Sequence, residues 1–372
     1  MSKSLVIALS IPILLTYGCT AQTAPVPSAD AVTSEQATFQ VELVAEGLEH
    51  PWGMAFLPGG DMLVTERAGR LRRVTGGDLA PTAISGVPKV FAEGQGGLLD
   101  VALDPAFADN DLVYLSYAGI DDDGRSSTRV ARGRLVDDAL DDVEVIFRSN
   151  SASNGQVHWG SRLGFDPAGQ LYVTVGERGS PDTAQNLERH GGSVVRINPD
   201  GSIPDDNPFV GQSGALPEIY SYGHRNPQGL TVHPETGRVW AQEHGPRGGD
   251  EVNLIEAGAN YGWPEISWGI NYGGTPINDG LREQDGMAQP AHFWDPSIAP
   301  SGMTFYDGDA FPEWRGDLFV GALKFQLIAR LEMKGDEVVG EERLIEGELG
   351  RIRDVRTGPD GFLYILTDDS NG

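Results

Sequence analysis

The sequence predicts an all-β protein, a six-bladed β-propeller with four-stranded antiparallel blades, and three observations carry the prediction. A hairpin pattern recurs six times along the chain. Glycine is abundant, at 50 of 372 residues, nearly twice the usual share. Long apolar helical stretches are missing, so so much glycine points to many tight turns between strands.

The six copies share small apolar residues, a turn built on Asp-Pro, Pro-Gly or a similar pair, and then an alternating strand. They are Gly53-MAFLPGGDMLVTE-Arg67, Asp100-VALDPAFADNDLVYLSY-Ala118, Arg162-LGFDPAGQLYVTVG-Glu177, Gly229-LTVHPETGRVWAQE-His244, Gly302-MTFYDGDAFPEWRGDLFVGA-Leu323 and Asp354-VRTGPDGFLYILTD-Asp369. Aligned on Met54, Val101, Leu163, Leu230, Met303 and Val355, they are spaced by 47, 62, 67, 73 and 52 residues. Each reads as strand, turn, strand. A lone hairpin cannot bury its faces, whereas blades arranged radially can, with few exposed edges. A β-sandwich of unrelated hairpins is the alternative. The longest spacings surround the third to fifth copies, so the loops there are expected to build a site. No outer strand follows the last copy, so either Phe39–Gly47 closes the ring or the sequence stops short of its closing strand.

Ahead of the repeat, residues 1–19 read as a targeting segment. Lys3 supplies the positive start, and Leu5–Leu15 is apolar apart from Ser10 and Pro12, too short to span a bilayer. Cys19, the only cysteine, follows small residues as in a bacterial lipoprotein signal, although Thr16 stands where that signal usually has Leu. An ordinary secretory signal is the alternative. Both readings export the chain, to a periplasm and in the first case with a lipid anchor at Cys19. A single cysteine excludes an internal disulfide. Residues 20–38 read as a flexible tether, leaving 39–372 as the propeller domain.

The formal net charge is −27, which makes nucleic acid and anionic lipid surfaces poor partners. An uncharged ligand such as a sugar is compatible with it. There are four lysines, 3, 89, 324 and 334, so Lys324 within the repeat stands out. Nothing resembles a strand-to-helix Gly-x-Gly-x-x-Gly, a Gly-x-Ser-x-Gly elbow or a zinc-type His/Cys cluster.

Several residues can carry chemistry. His158, in Gly155-QVHWGS-Arg162, precedes the third hairpin among small residues and can serve as a general base, or hold a neighbouring loop. Glu243-HGPRGGD-Glu251 mixes exposed carbonyls with carboxylates, the oxygen mixture that Ca²⁺ prefers. Asp121-Asp122-Asp123-Gly124 lacks a spaced Glu and reads as a solvated turn. Arg225, Lys324, Arg351 and Arg353 are the cations of interest. Arg351 and Arg353 lie two apart on a predicted strand and share a face, where they can bind carboxylates bidentately or neutralise acidic neighbours.

Four stretches, Gly96-GLLDVALDPAF-Ala108, Tyr222-GHRNPQGL-Thr231, Glu251-VNLIEAGANYGWP-Glu265 and Gly350-RIRDVRTGPDG-Phe362, occur together and in order. They resemble the soluble quinoprotein glucose and aldose sugar dehydrogenases, the glucose/sorbosone dehydrogenase family, over roughly residues 40–372. The resemblance implies a six-bladed propeller that oxidises the anomeric carbon of aldoses to lactones with pyrroloquinoline quinone (PQQ) and Ca²⁺. An external acceptor then takes the electrons. It also implies His158 as general base, and Gly245 and Pro246 as carbonyl ligands of the cofactor calcium. Gln95, Arg225, Asn226, Tyr272, Lys324, Arg351 and Arg353 are implied as cofactor or active-site contacts, the cations answering the quinone's three carboxylates. Glu251 and Tyr261 match a further calcium of the aldose branch, which Trp268-GINYGG-Thr275 also resembles. Glu177 falls where some relatives have Asp, and Val157 stands where some have Asp beside the histidine. A calcium-dependent propeller lactonase and a non-catalytic glycan-binding propeller are the competing readings. A monomer and a homodimer are equally compatible with the sequence.

Overall fold

The computed structural model describes residues 4–10 and 31–368. Cys19 and most of the expected tether lie outside the described residues, and among those described no helix is long and apolar enough to cross a membrane.

Each repeat copy supplies the two inner strands of a sheet, and the sequence pattern shows why. The second strands, such as Met62–Glu66, Leu171–Val175 and Leu318–Ala322, are buried along their whole length, and they read as continuous apolar runs between small polar residues. Outer strands alternate instead. Glu337–Leu344 places Val338 inward between exposed Glu337 and Val339, the period-2 pattern of a strand with one solvated face.

Six four-stranded blades were expected, and the structure corrects this: it has five. The first blade runs through Pro51–Phe56, Met62–Glu66, Arg70–Thr75 and Asp78–Leu79. The second holds Leu98–Leu103, Leu112–Ile120, Ser126–Val136 and Ala139–Arg148. The third comprises Gly160–Phe165, Leu171–Val175, Ser193–Ile197 and Ile219–Tyr222. Pro227–Val232, Val239–Glu243, Asp250–Leu254 and His292–Trp294 make the fourth. Pro300–Phe305, Leu318–Ala322, Ile328–Lys334 and Glu337–Leu344 make the fifth.

The last repeat copy belongs to a sheet of different build. Its strands Arg351–Thr357 and Leu363–Asp368 are followed across the sheet by Ser4–Ser10, Thr38–Leu48 and Val32–Thr33, five strands in all. The pairing is antiparallel, with Val6 opposite Leu366 on one side and opposite Ala45 on the other. The physical reason is chain order. The last copy brings two strands, so its outer strands come from the opposite end of the chain, and three are available there. Phe39–Gly47 does help to close the ring, with residues 4–10 of the expected leader lying between it and the last copy. Apolar clusters fill the wedges between neighbouring sheets, for example Leu63, Leu71, Leu98 and Val113 between the first two blades, and Phe39, Phe319, Ile328 and Ile352 at the closure.

The inner strands meet at the axis through polar atoms. Buried Arg162 donates to Asp100 Oδ1 at 3.2 Å and lies 3.2 Å from Asp354 Oδ1. Gly53 and Gly302 hold the matching positions of two other copies, and side chains there would collide: a Cβ on Gly302 would lie 1.8 Å from Asp354 Oδ1, and one on Gly53 2.4 Å from Asp100 Oδ1. Hydroxyls then join sheet to sheet. Thr65 donates to Leu99 O, Ser116 to Ser161 O at 2.5 Å, Thr174 to Pro227 O at 2.9 Å and Ser301 to Ile352 O at 2.7 Å. Thr174→Val keeps the volume but strands the Pro227 carbonyl and the Arg162 N–H that the hydroxyl accepts at 2.9 Å. It should destabilise the protein by on the order of 2 kcal/mol in urea unfolding; a change below about 0.5 kcal/mol would contradict these cross-links.

Candidate functional site

Three neighbouring features stand out, a chamber, a mouth and a small acidic pocket, the last sharing His244 with the chamber and Arg225, Pro246 and Trp263 with the mouth. The chamber, about 430 Å³, is lined by Arg67, Gln95, His244, Arg351, Arg353 and Asp368 among others. The mouth, about 570 Å³, is lined by His158, Glu177, Arg225, Trp263, Asn271 and Tyr272 among others. These come from the long loops around the third to fifth copies.

His158 is held on every side. Its backbone adopts φ of +53°, a conformation that non-glycine residues keep only when the surroundings enforce it. The His158 N–H donates to Gln95 Oε1 at 2.8 Å. Arg178 donates to the carbonyls of Gly155 and Val157 on the same loop and stacks 3.2 Å from the centre of the Trp159 ring. Burial pulls the Arg178 pKa down to about 9. The His158 carbonyl passes so close to Gly176 that a Cβ there would lie 2.2 Å from its oxygen. Finally, Nδ1 lies 2.6 Å from Glu177 Oε1, and Glu177 Oε2 accepts the Ser180 N–H. A carboxylate only accepts, so Nδ1 carries the hydrogen; the neutral form of this tautomer keeps its lone pair on Nε2. Val157 deprives the histidine of an adjacent acidic neighbour, and Glu177, across the hairpin, supplies the carboxylate instead.

In the chamber, positive charge exceeds negative. Arg353 pairs with Asp368 Oδ2 at 2.6 Å and reaches Gln228 Oε1 at 3.3 Å. Burial opposes ionisation of Asp368, yet Arg353, by charge and hydrogen bond, holds its carboxyl below the usual range. Arg351 and Arg67 carry no ion pair among the described residues. Burial, and then repulsion from Arg353, lowers the pKa of both. The Nε atoms of Arg67 and Arg225 and the Nδ2 of Asn226 are buried without a hydrogen-bond partner among the described residues. Asn226 spends its Oδ1 on the Gly160 N–H at 3.1 Å. Of these residues, Arg67 lines the chamber and Arg225 the mouth; unspent donors beside an excess of guanidiniums fit a polycarboxylate ligand with further acceptor oxygens. Lys324 is placed differently: its ammonium lies 4.8 Å over the Phe325 ring, and Leu323 lines the chamber in its stead. Tyr272 is 73% exposed at the mouth.

The acidic pocket has room for about one water-sized species, roughly 10 Å³, among Glu243, Gly245, Pro246, Glu251 and Tyr261. Glu243 and Glu251 are direct partners across neighbouring strands, where like charges oppose one another. Glu243 is satisfied by His224 Nδ1 at 2.8 Å and by the Arg225 N–H. Glu251 has only Asn253 Nδ2, at 3.3 Å, and burial followed by Glu243 raises its pKa well above the ordinary value. The loop carbonyl of Gly245 accepts from the Arg225 guanidinium at 2.7 Å, and Asp250 fixes that loop by accepting the Gly245 N–H at 2.9 Å. Carboxylates and a carbonyl turned toward positive charge fit a hard cation. The Tyr261 hydroxyl donates to Leu254 O, away from this pocket. Among the described residues no group of three or more His, Cys, Asp or Glu side chains is gathered as a metal site, so a cation here would need carbonyl ligands as well. The Asp121–Gly124 turn pairs its carboxylates with Arg125 and Arg129.

Sequence reasoning missed Arg67, Asp368 and Glu243. Arg67 had a signal: it ends the first copy where His244 ends the fourth and Leu323 the fifth, and all three line the chamber.

Comparison with known proteins places the chain in a family. The chain is 47% identical over 346 residues to aldose sugar dehydrogenase YliI of Escherichia coli (strain K12), covering 92% of this chain and 93% of that protein. The apo-form crystal structure of the soluble aldose sugar dehydrogenase from Escherichia coli superimposes with a TM-score of 0.84 at 47% identity, over 87% of this chain and 94% of the other. The PQQ-bound form of the aldose sugar dehydrogenase from Streptomyces coelicolor gives 0.71 at 31% identity, over 87% and 96%. The family described as glucose/sorbosone dehydrogenase matches residues 48–372, and this chain belongs to it.

Proposed function

We propose that this protein oxidises the anomeric carbon of aldose sugars to lactones, using PQQ held in the chamber with Ca²⁺ beside it, and passes the electrons to an external acceptor. The observation that carries the reading is the placement of a carboxylate-backed histidine at the mouth of a chamber whose lining guanidiniums outnumber its carboxylates. The PQQ-bound relative and the family match support it.

The chain's own residues do the following. Arg351, Arg353, Gln95 and Asn226 would hold the quinone through its carboxylate and carbonyl oxygens, with Arg225 at the junction of mouth and acidic pocket. Gly245 and Pro246 would offer carbonyls to a cofactor calcium. Glu251 and the backbone carbonyl of Tyr261 would take a further one, since the tyrosine hydroxyl is engaged elsewhere. When bound, PQQ supplies a two-electron acceptor and Ca²⁺ polarises it. His158 takes the proton of the anomeric hydroxyl on Nε2, and Glu177 stabilises the imidazolium that forms. Tyr272, Trp263, Asn271 and Asn278 offer stacking faces and amides to a sugar ring. His244 is held neutral, since burial pulls its pKa down to about 3, and its Nε2–H donates to Pro300 O at 2.6 Å.

A lactonase would not require the cationic chamber. A non-catalytic glycan binder would not require the His158–Glu177 pair. The apolar leader adds export to the proposal, with Cys19 as a lipid anchor in a periplasm; recovery of the protein in the cytosol on cell fractionation would refute it.

Reconstitution with PQQ and Ca²⁺ should give aldose-dependent dye reduction. His158→Ala should lower kcat by roughly 10²- to 10⁴-fold, and Glu177→Gln by on the order of 10²-fold, with quinone affinity unchanged in both. Unchanged turnover in either variant would remove that residue from the mechanism. Calcium has its own test. Glu251 has a folded-state pKa above its unfolded one, so in metal-free protein it is destabilising once ionised. Stability is therefore lost as pH rises from the ordinary carboxyl range through the raised value. Glu251→Gln should raise the melting temperature of metal-free protein at pH 7 and reduce the gain that Ca²⁺ gives the wild type. An unaltered calcium-induced gain would exclude Glu251 as a ligand.

A further inference from the structure

We propose that Arg67, at the end of the first repeat copy, is a carboxylate-binding residue of the quinone chamber, acting with Arg351 and Arg353. The inference rests on the PQQ reading above and extends its ligand set to the first blade. Three observations carry it.

The first is position. Arg67 follows the strand Met62–Glu66, at the step of the repeat that His244 and Leu323 occupy in the fourth and fifth blades. All three line the same chamber. Its backbone is fixed there from both sides: the Arg67 N–H donates to His50 O at 3.1 Å, and its carbonyl accepts the Leu98 N–H at 3.0 Å. The side chain therefore leaves a rigid point.

The second is unspent hydrogen-bonding capacity. Arg67 forms no ion pair among the described residues, and its buried Nε has no partner. Arginines below the chamber are engaged by contrast: Arg162 bridges Asp100 and Asp354, and Arg356 pairs with the same two aspartates. An arginine placed for folding alone would be expected to find a carboxylate in a chain with 54 acidic residues. This one faces two other guanidiniums and shares one aspartate with them.

The third is charge. Burial and then Arg353 act against the charged form of Arg67, with Asp368 offsetting part of the effect. A chamber that holds three guanidiniums around one carboxylate is under repulsion until an anion enters. Lys324, the third cation that the sequence offered for a tricarboxylate, lies over Phe325. Arg67 is the third cation in the chamber itself.

Equilibrium titration of metal-loaded apoprotein with PQQ, read by tryptophan quenching, tests this. Arg67→Gln should weaken PQQ binding at least tenfold and Arg67→Lys by less, because a point charge replaces a planar fork. The penalty of Arg67→Gln should largely vanish when the trimethyl ester of PQQ replaces the tricarboxylate. In the unliganded state Arg67→Gln should melt no lower than the wild type, since repulsion among the three guanidiniums is relieved. Binding of PQQ to Arg67→Gln within twofold of wild type would overturn the proposal. So would an equal penalty with the ester, or a marked fall in the unliganded melting temperature, either of which would assign Arg67 to packing. A wild-type chain that binds neither form would overturn the PQQ reading and this inference together, whereas wild-type binding with an unaffected Arg67→Gln overturns the inference alone.

Discussion

Arg162 is the side chain on which the rest of the structure depends. It sits on the axis with almost no exposure, between Asp100 and Asp354. Burial works against the ionised forms of Asp100 and Arg162, raising the Asp100 pKa and lowering that of Arg162. The cluster therefore persists through hydrogen bonds to backbone as well as through charge attraction. Asp100 accepts the Leu163 N–H and Asp354 the Met54 N–H, so each aspartate grips the backbone of another sheet. Arg162 also donates to the carbonyls of Gln228 and Arg353, at 2.7 and 3.0 Å. Gln228 and Arg353 line the chamber directly above. One guanidinium thus joins ring closure to the floor of the site. The glycines at Gly53 and Gly302 are the steric counterpart, since larger residues would expel the aspartates.

The site has an electrostatic logic of its own. The chain as a whole is strongly acidic, yet its chamber is cationic, and the acidic pair Glu243 and Glu251 is set aside in a pocket too small for an organic ligand. The separation suits a polyanionic cofactor beside a hard cation, with an uncharged sugar entering from the mouth. It also explains why His158 is braced so thoroughly. In the proposed role, a base that meets a substrate in a wide mouth cannot rely on the substrate to position it. Gln95, Arg178, Gly176 and Glu177 fix its loop, carbonyl and ring before any ligand arrives.

The hairpin copies were legible because each is contiguous and carries its own turn residues. The number of four-stranded blades was not, because the last sheet is assembled from both chain ends and pairing between distant segments leaves no local pattern. Arg351 and Arg353 were legible through their spacing of two, which puts both at the chamber. Lys324 was read from its rarity, but the side chain turns to Phe325, a preference that strand spacing does not encode. Glu177 was placed near the site without a role, and its contact with His158 became visible only when the hairpin brought the two together. Tyr261 shows the converse: the residue stands at the acidic pocket, while its hydroxyl serves the Leu254 carbonyl.

Anaerobic single turnover tests the central claim most directly. Protein loaded with PQQ and Ca²⁺ is mixed with one equivalent of an aldose, without dye, while the quinone absorbance and the sugar product are followed together. The account predicts that the quinone absorbance changes with formation of one lactone per bound cofactor. An absorbance unaffected by sugar in the loaded protein, or a change unaccompanied by lactone, would contradict it.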